Sequence, residues 1–156
     1  FNNVEFRQGD IEKMPVAANR ADVIVSNCVL NLVPNKTGVI SEIFRVLKPG
    51  AHFSISDVVL QGELPEALKK DAEMYAGCVS GAIQMDEYLS LIKNQGFVNI
   101  KIQKQKAINI PNDILSKYLT VEEINQFKSG DNGIFSITVY AEKPNENCCS
   151  PGSNCC

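Results

Sequence analysis

The order of apolar and polar residues along the chain predicts strands and helices in alternation. Ala21–Asn27 is a near-continuous β-branched run, which is typical of a strand buried on both faces. From Lys36 to Leu47 the apolar residues recur at helical spacing, and Lys48-Pro49-Gly50 ends the predicted helix. Ala51–Leu60 predicts a second buried strand. This strand, helix and strand form a βαβ unit, so we predict an α/β fold with a parallel sheet.

The other predicted elements follow the same two periodicities. They are a strand at Val4–Phe6 leading into the loop Arg7–Asp10, a helix at Pro65–Ala76, a glycine-flanked break at Gly77–Gly81, a helix from Asp86 as its cap to Asn94, a half-exposed strand at Phe97–Lys106, a helical insertion at Ile114–Phe127, and a last strand at Ile134–Lys143.

The length and charge of the chain exclude some classes of function. A chain of 156 residues is one domain by default. With 15 basic and 18 acidic residues, the chain has no excess of positive charge that would bind nucleic acid or an anionic membrane. We therefore expect a small-molecule partner. The apolar runs are shorter than the roughly 20 residues of a membrane span, and no leader pattern precedes them. We therefore expect a cytoplasmic protein.

The six cysteines do not follow the pattern of a secreted disulfide scaffold. The hydrophobic content is 44%, with long strand and helix patterns, so we expect reduced thiols. Four of them, Cys148, Cys149, Cys155 and Cys156, lie in a polar tail, residues 144–156, that has no apolar face and is expected to be disordered.

Four segments together resemble the second half of class I S-adenosylmethionine (SAM)-dependent methyltransferases. They are Gly9–Glu12, Asp22–Asn27, Arg45–Gly50 and Ile55–Asp57, and the sequence Arg-Val-Leu-Lys-Pro-Gly of the third is the most specific. Two nonapeptides, Ser26–Pro34 and Met74–Ala82, further resemble the arsenite methyltransferase family, which presents one cysteine after each of these elements.

The resemblance implies a Rossmann-like fold in which the N-terminal half of the sheet and the glycine-rich cofactor loop are missing, because no Gly-x-Gly-x-Gly occurs here. It divides the chain into the C-terminal half of the SAM-binding domain (1–60), an arsenic-binding region of the same fold (61–143) and the tail (144–156). We expect the fragment alone to be inactive and the parent enzyme to be a monomer.

Cys28 and Cys78 are the catalytic thiolates that the resemblance implies, as ligands of trivalent arsenic. Soft thiolates suit this thiophilic, three-coordinate centre, and its lone pair can attack a methyl group without a general base. Two thiols suffice for methylarsenite, whereas arsenite calls for a third from outside this sequence. Without the resemblance, we would predict Cys28 to be a small buried hydrophobic residue. We predict structural roles for His52 and Asp57.

The resemblance also places the cofactor. Asp10, Ile11 and Glu12 would lie beside the adenine, and Ser26 and Asn27 at the methionine end; Asp10 as a turn residue and Asn27 as a strand-end residue are the alternatives. A thiol reductant, glutathione or thioredoxin, is expected as co-substrate. The vicinal tail cysteines are either accessory arsenic-capturing thiols or dispensable.

The function expected is methyl transfer from SAM to thiolate-bound arsenite or methylarsenite, which detoxifies arsenic. The alternatives are a SAM-dependent methyltransferase of a small lipid or quinone, in which the cysteines only pack, and a non-catalytic thiol-rich arsenic-binding fragment.

Overall fold

A computed structural model describes residues 2–63, 68, 79, 81–129 and 132–145 of the chain. The predicted helix at Pro65–Ala76 lies almost entirely outside these residues. Cys78 and the four tail cysteines also lie outside them, so the structure does not test those predictions.

The described strands form one mixed sheet. Strands β1 (Ala21–Asn27), β2 (Leu47–Gln61), β3 (Val98–Ala107) and β4 (Gly133–Glu142) lie in the order β1-β2-β4-β3. Helix α1 (Lys36–Val46) connects β1 to β2, which are parallel, and this confirms the βαβ unit. The sheet is not parallel throughout, because β4 runs antiparallel to both β2 and β3.

Helix α1 begins and ends where its local sequence permits. The side chain of Asn35 caps it by accepting a hydrogen bond from the Gly38 N–H at 3.0 Å. The helix ends at Val46, and the Lys48-Pro49-Gly50 segment already belongs to β2, with Gly50 at φ +77°. The predicted stop is therefore correct, but the strand begins earlier than the apolar run indicated.

Three further helices differ in detail from the prediction. Helix α2 (Met85–Asn94) has Gln84 as its N-cap, so Asp86 lies in the first turn and is not the cap. Gly96, at φ +100°, follows the helix as expected. The predicted insertion is two helices, α3 (Asn112–Leu115) and α4 (Val121–Ser129). None of the helices in the described residues is both long and apolar enough to cross a lipid bilayer.

The core consists of two hydrophobic clusters. The first packs α1 and α2 against one face of the sheet, with Phe97 in edge-to-face contact with Phe44 and Phe53. The second lies at the carboxyl end of β2 and contains Val58, Leu60, Leu68, Val79, Ile110, Leu115 and Ile134. This second cluster carries the candidate site.

Solvent exposure shows that two predictions are wrong, one about β1 and one about the N-terminal segment. Val23 and Val25 are 50% and 75% exposed, and the other face of β1 is half-buried, so the strand is not buried on both faces. Both α1 and α2 belong to the cluster on the other face, which leaves these valines uncovered by described residues. Val4–Phe6 is not a strand; Phe6 is 94% exposed, because no described strand pairs with this segment.

Candidate functional site

Cys28 lies where the chain leaves the carboxyl end of β1. Its backbone N–H donates to the Ser56 carbonyl at 2.8 Å, which extends the parallel β1–β2 pairing by one residue. Its φ of +55° is left-handed, a conformation that costs a non-glycine residue on the order of 1–3 kcal/mol. The half-buried side chain packs against the second core cluster. Such a strained residue at a strand exit is a candidate for function.

Two loops meet beside Cys28. The first is the 3-10 helix Leu30–Leu32, in which the buried Asn31 side chain donates to the Val58 carbonyl at 2.8 Å. The second contains Gly81, where a Cβ atom would overlap the carbonyl oxygen of Asn31. Only glycine permits this close backbone approach. The chain segment around Gly81 is therefore held against the loop that follows Cys28.

The second loop also brings Val79 into the site. Val79 is buried in the cluster against which Cys28 packs. It directly follows Cys78 in the sequence, although Cys78 itself lies outside the described residues. The described residues thus place the chain on the C-terminal side of Cys78 in the same cluster as Cys28.

Asp57 is a buried carboxylate in β2 at the level of Cys28. It is 1% exposed, and its Oδ2 accepts a hydrogen bond from the Tyr88 hydroxyl at 2.8 Å. The register pairs Ser26 with Ile55 and Asn27 with Ser56, so Asp57 follows the last residue of β2 that pairs with β1. Burial raises the pKa of Asp57 to about 6, against the opposing effects of Tyr88, the Lys36 charge and the backbone N–H of Asn31.

Further charged groups face this carboxylate from the two helices. Lys36, in the first turn of α1, donates to the Val33 carbonyl at 3.1 Å; burial lowers its pKa, and Asp57 and Glu87 raise it in part. The pKa of Tyr88, in α2, is raised by burial, by Asp57 and by electrostatic interaction with Cys28. Tyr88 is therefore close enough to Asp57 and to Cys28 to interact electrostatically with each of them.

The residues predicted for the cofactor lie near the same end of the sheet. Asp10 Oδ1 accepts from the Glu12 N–H at 2.9 Å, so Asp10 does form a turn. Glu12 Oε2 accepts from the side chain of Asn35, the cap of α1, at 3.0 Å. This link ties the Asp10–Glu12 turn to the helix that begins just after the carboxyl end of β1.

The types of side chain at these positions are chemically suited to contact SAM. Ile11 packs against the first core cluster, and a shallow cavity of about 260 Å³ opens beside Gly9, Asp10, Ile11, Met14 and Pro15. An exposed carboxylate beside an apolar chain can accept from an exocyclic amine and cover a ring. Ser26 is half-buried and Asn27 exposed at the last two positions of β1, on opposite faces of the strand.

Sequence reasoning assigned Asp57 a structural role and did not single out Tyr88 or Lys36. The signal for Asp57 was present, because residues two apart in a strand share a face and Phe53, Ile55 and Val59 make that face the core. His52 lies in the first half of β2, where its ring packs on Tyr140 with centroids 5.0 Å apart. Within the described residues, no three His, Cys, Asp or Glu side chains are grouped so as to hold a metal ion.

Comparison with known proteins identifies relatives over most of the chain. Residues 1–96 match a methyltransferase domain family. Arsenite methyltransferases from Halobacterium salinarum and Aquipseudomonas alcaligenes are 33% and 36% identical over 91% and 76% of the chain. The chain spans only about a third of their length, 34% and 35%.

A solved structure shows the same fold. The crystal structure of an arsenic(III) S-adenosylmethionine methyltransferase from Chlamydomonas reinhardtii superposes with a TM-score of 0.67 at 29% identity. The match covers 88% of this chain and 43% of that one. The four-stranded sheet and its helices are therefore part of a Rossmann-like methyltransferase fold.

Proposed function

The chain belongs to the methyltransferase domain family of SAM-dependent enzymes, and from this premise we propose that its protein transfers a methyl group from SAM to trivalent arsenic held by Cys28 and Cys78. The similarity to arsenite methyltransferases supports the substrate class. Since the chain spans about a third of those relatives, the activity is proposed for the whole protein to which these residues belong.

One observation carries the proposal. Cys28 occupies a strained, left-handed position at the strand exit and contacts the cluster that contains Val79, the residue after Cys78. Open α/β sheets bind ligands at the carboxyl ends of their strands. The contact between Gly81 and Asn31 supports a fixed approach of the two cysteine-bearing segments.

In the proposed reaction the two thiols replace two hydroxides of the substrate. Each thiol gives its proton to a departing hydroxide, so each As–S bond forms as an As–O bond breaks and water leaves. The arsenic lone pair remains and is the nucleophile, so these residues need supply no general base. Positioning is then the main contribution of the protein, and it can supply about 7–11 kcal/mol.

SAM, when bound, supplies the sulfonium methyl group that the arsenic lone pair attacks. We propose that Asp10, Ile11 and Glu12 contact its adenine and that Ser26 and Asn27 lie near its methionine end. The turn at Asp10 and the hydrogen bond from Asn35 to Glu12 would hold the first three residues in place.

The remaining thiols have separate roles in the proposal. Cys148, Cys149, Cys155 and Cys156 form two vicinal pairs that would capture arsenite and pass it inward. Methyl transfer takes arsenic from the trivalent to the pentavalent state, so a cellular thiol such as glutathione or thioredoxin would supply the two electrons that restore the trivalent state and keep the cysteines reduced. Neither role is needed for arsenic to bind at Cys28 and Cys78.

Arsenite binding by equilibrium dialysis tests the proposal. In a full chain whose four tail cysteines are changed to serine, we expect one arsenic per chain, and Cys28→Ser or Cys78→Ser should each abolish binding at micromolar arsenite. Ser56→Ala is a control, because it removes the hydroxyl that bonds to Thr138 and keeps the backbone carbonyl that accepts from Cys28. Undiminished binding in the Cys28→Ser chain would sink the proposal.

A further inference from the structure

Three consecutive residues of β2 hold the turn that follows β1. The Ser56 carbonyl accepts from the Cys28 N–H at 2.8 Å. The Val58 carbonyl accepts from the side chain of Asn31, also at 2.8 Å, and the backbone N–H of Asn31 acts on the carboxylate of Asp57. Carbonyls two residues apart in a strand point to the same side. The Asn31 side chain therefore takes the next place in the ladder after β1 has ended.

Asn31 also contacts the loop on the C-terminal side of Cys78. It is 4% exposed, and a Cβ atom on Gly81 would overlap its carbonyl oxygen. Gly81 lies three residues after Cys78, and Asn31 follows the other cysteine, Cys28, by the same number of residues. A buried polar side chain costs free energy unless it is hydrogen-bonded. Here its hydrogen bond fixes the point at which the two cysteine-bearing segments meet.

We propose that Asn31 is a positioning residue, which holds the turn of Cys28 against the loop that follows Cys78 and so sets the distance between two thiols that bind one arsenic atom. The inference deepens the proposed function and rests on it for the identity of the ligand. The role needs no contact of Asn31 with the substrate or the cofactor. Asn31 acts through Val58 on one side and Gly81 on the other.

The effect of such a residue is confined to ligands that need both thiols. Methylarsenite has two hydroxyls, and each As–S bond forms as one hydroxide leaves with a thiol proton as water. The second bond gains from the effective concentration of one thiol beside the other. Dimethylarsinous acid has one hydroxyl, so the same exchange joins it to a single thiol. Loosening the turn lowers the effective concentration and leaves the single As–S bond as it was.

Equilibrium dialysis of both arsenicals tests the inference in the full chain with serines at the four tail cysteines. Asn31→Leu keeps the branched shape of the side chain but removes its hydrogen bond to Val58. It should weaken methylarsenite binding about tenfold, as expected when a buried carbonyl loses its donor, and change the binding of dimethylarsinous acid less than about twofold. Asn31→Ala should show the same difference, and it replaces Asn31→Leu if leucine prevents folding.

Thr138→Val is the matched control. It removes a side-chain hydrogen bond of the same sheet, to the Ser56 hydroxyl at 2.8 Å, on the face opposite to the buried Ile137 and Val139. It should leave both dissociation constants unchanged. An equal change for both arsenicals in a folded Asn31 variant, or an unchanged constant for methylarsenite, would overturn the inference.

Cys78→Ser separates this inference from the proposed function. If the two thiols hold arsenic together, this substitution should weaken methylarsenite binding until it is close to that of dimethylarsinous acid. Methylarsenite binding that Cys78→Ser leaves unchanged would refute the proposed function, whatever the Asn31 variants do. Binding that depends on Cys78 but not on Asn31 would refute only the positioning role.

Discussion

Asp57 stands at a position where the strand pattern favours an apolar side chain. Phe53, Ile55 and Val59 share its face of β2 and are fully buried. That pattern predicts burial of Asp57 correctly. It does not predict the hydrogen bond from Tyr88, 31 residues away, because that contact depends on how α2 packs on the sheet. Long-range partners of a buried polar group are a property of the tertiary structure.

The ionisation of Asp57 should make stability depend on pH. Its pKa rises from 3.8 to about 6 on folding, so the folded state binds the proton more tightly than the unfolded state. The cost of ionisation is absent well below pH 3.8, where both states are protonated, and it is complete about one unit above pH 6, where both are ionised. The free energy of unfolding should therefore fall by about 2–3 kcal/mol as the pH rises through this window.

Urea unfolding of the wild type and of Asp57→Asn between pH 4 and 7 measures this effect. The other carboxylates are common to both proteins and cancel in the difference. Stability of the wild type relative to Asp57→Asn should fall as the pH rises. A difference that is flat or that increases would show that Asp57 is not a buried carboxylate in the folded chain.

At the scale of elements, the βαβ unit was predictable and the direction of β4 was not. Continuous apolar runs on both sides of an amphipathic helix leave one usual topology, and α1 with β1 and β2 confirms it. The alternation of Ile134–Lys143 is the same whichever way the strand runs. Only its pairing with β2 and β3 makes it antiparallel.

The contact between Gly81 and Asn31 gives a prediction at this scale. Gly81→Ala would place a Cβ against backbone, which cannot move aside as a side chain can. We expect it to cost about 1–3 kcal/mol of unfolding free energy and to weaken arsenite binding, because the loop next to Cys78 must shift. Chemical denaturation and dialysis measure the two effects.

Gly38→Ala is the control for this substitution. Its Cβ would meet the side chain of Asn35, which can rotate away at the cost of its cap, and alanine favours the helix. It should change the unfolding free energy by less than about 1 kcal/mol and leave arsenite binding intact. If Gly81→Ala behaves like Gly38→Ala, the two loops do not hold each other.

For the whole molecule, residue patterns identified the fold class and the family, whereas solvent exposure had to come from the structure. The apolar run of β1 predicted a strand covered on both sides, yet Val23 and Val25 are exposed. The run is the same whether or not a second layer covers it, so exposure depends on what else packs there. Similarly, the role of Cys28 as an arsenic ligand was predicted from a resemblance, whereas its strained backbone was visible only in the folded chain.

Arsenic K-edge X-ray absorption tests the central claim, that Cys28 and Cys78 hold trivalent arsenic, most directly. The sample is the full chain with serines at the four tail cysteines, loaded with one equivalent of arsenite. We predict two sulfur atoms and one oxygen around arsenic, and loss of sulfur in the Cys28→Ser chain. A shell of oxygen alone, or a spectrum that Cys28→Ser leaves unchanged, would contradict it.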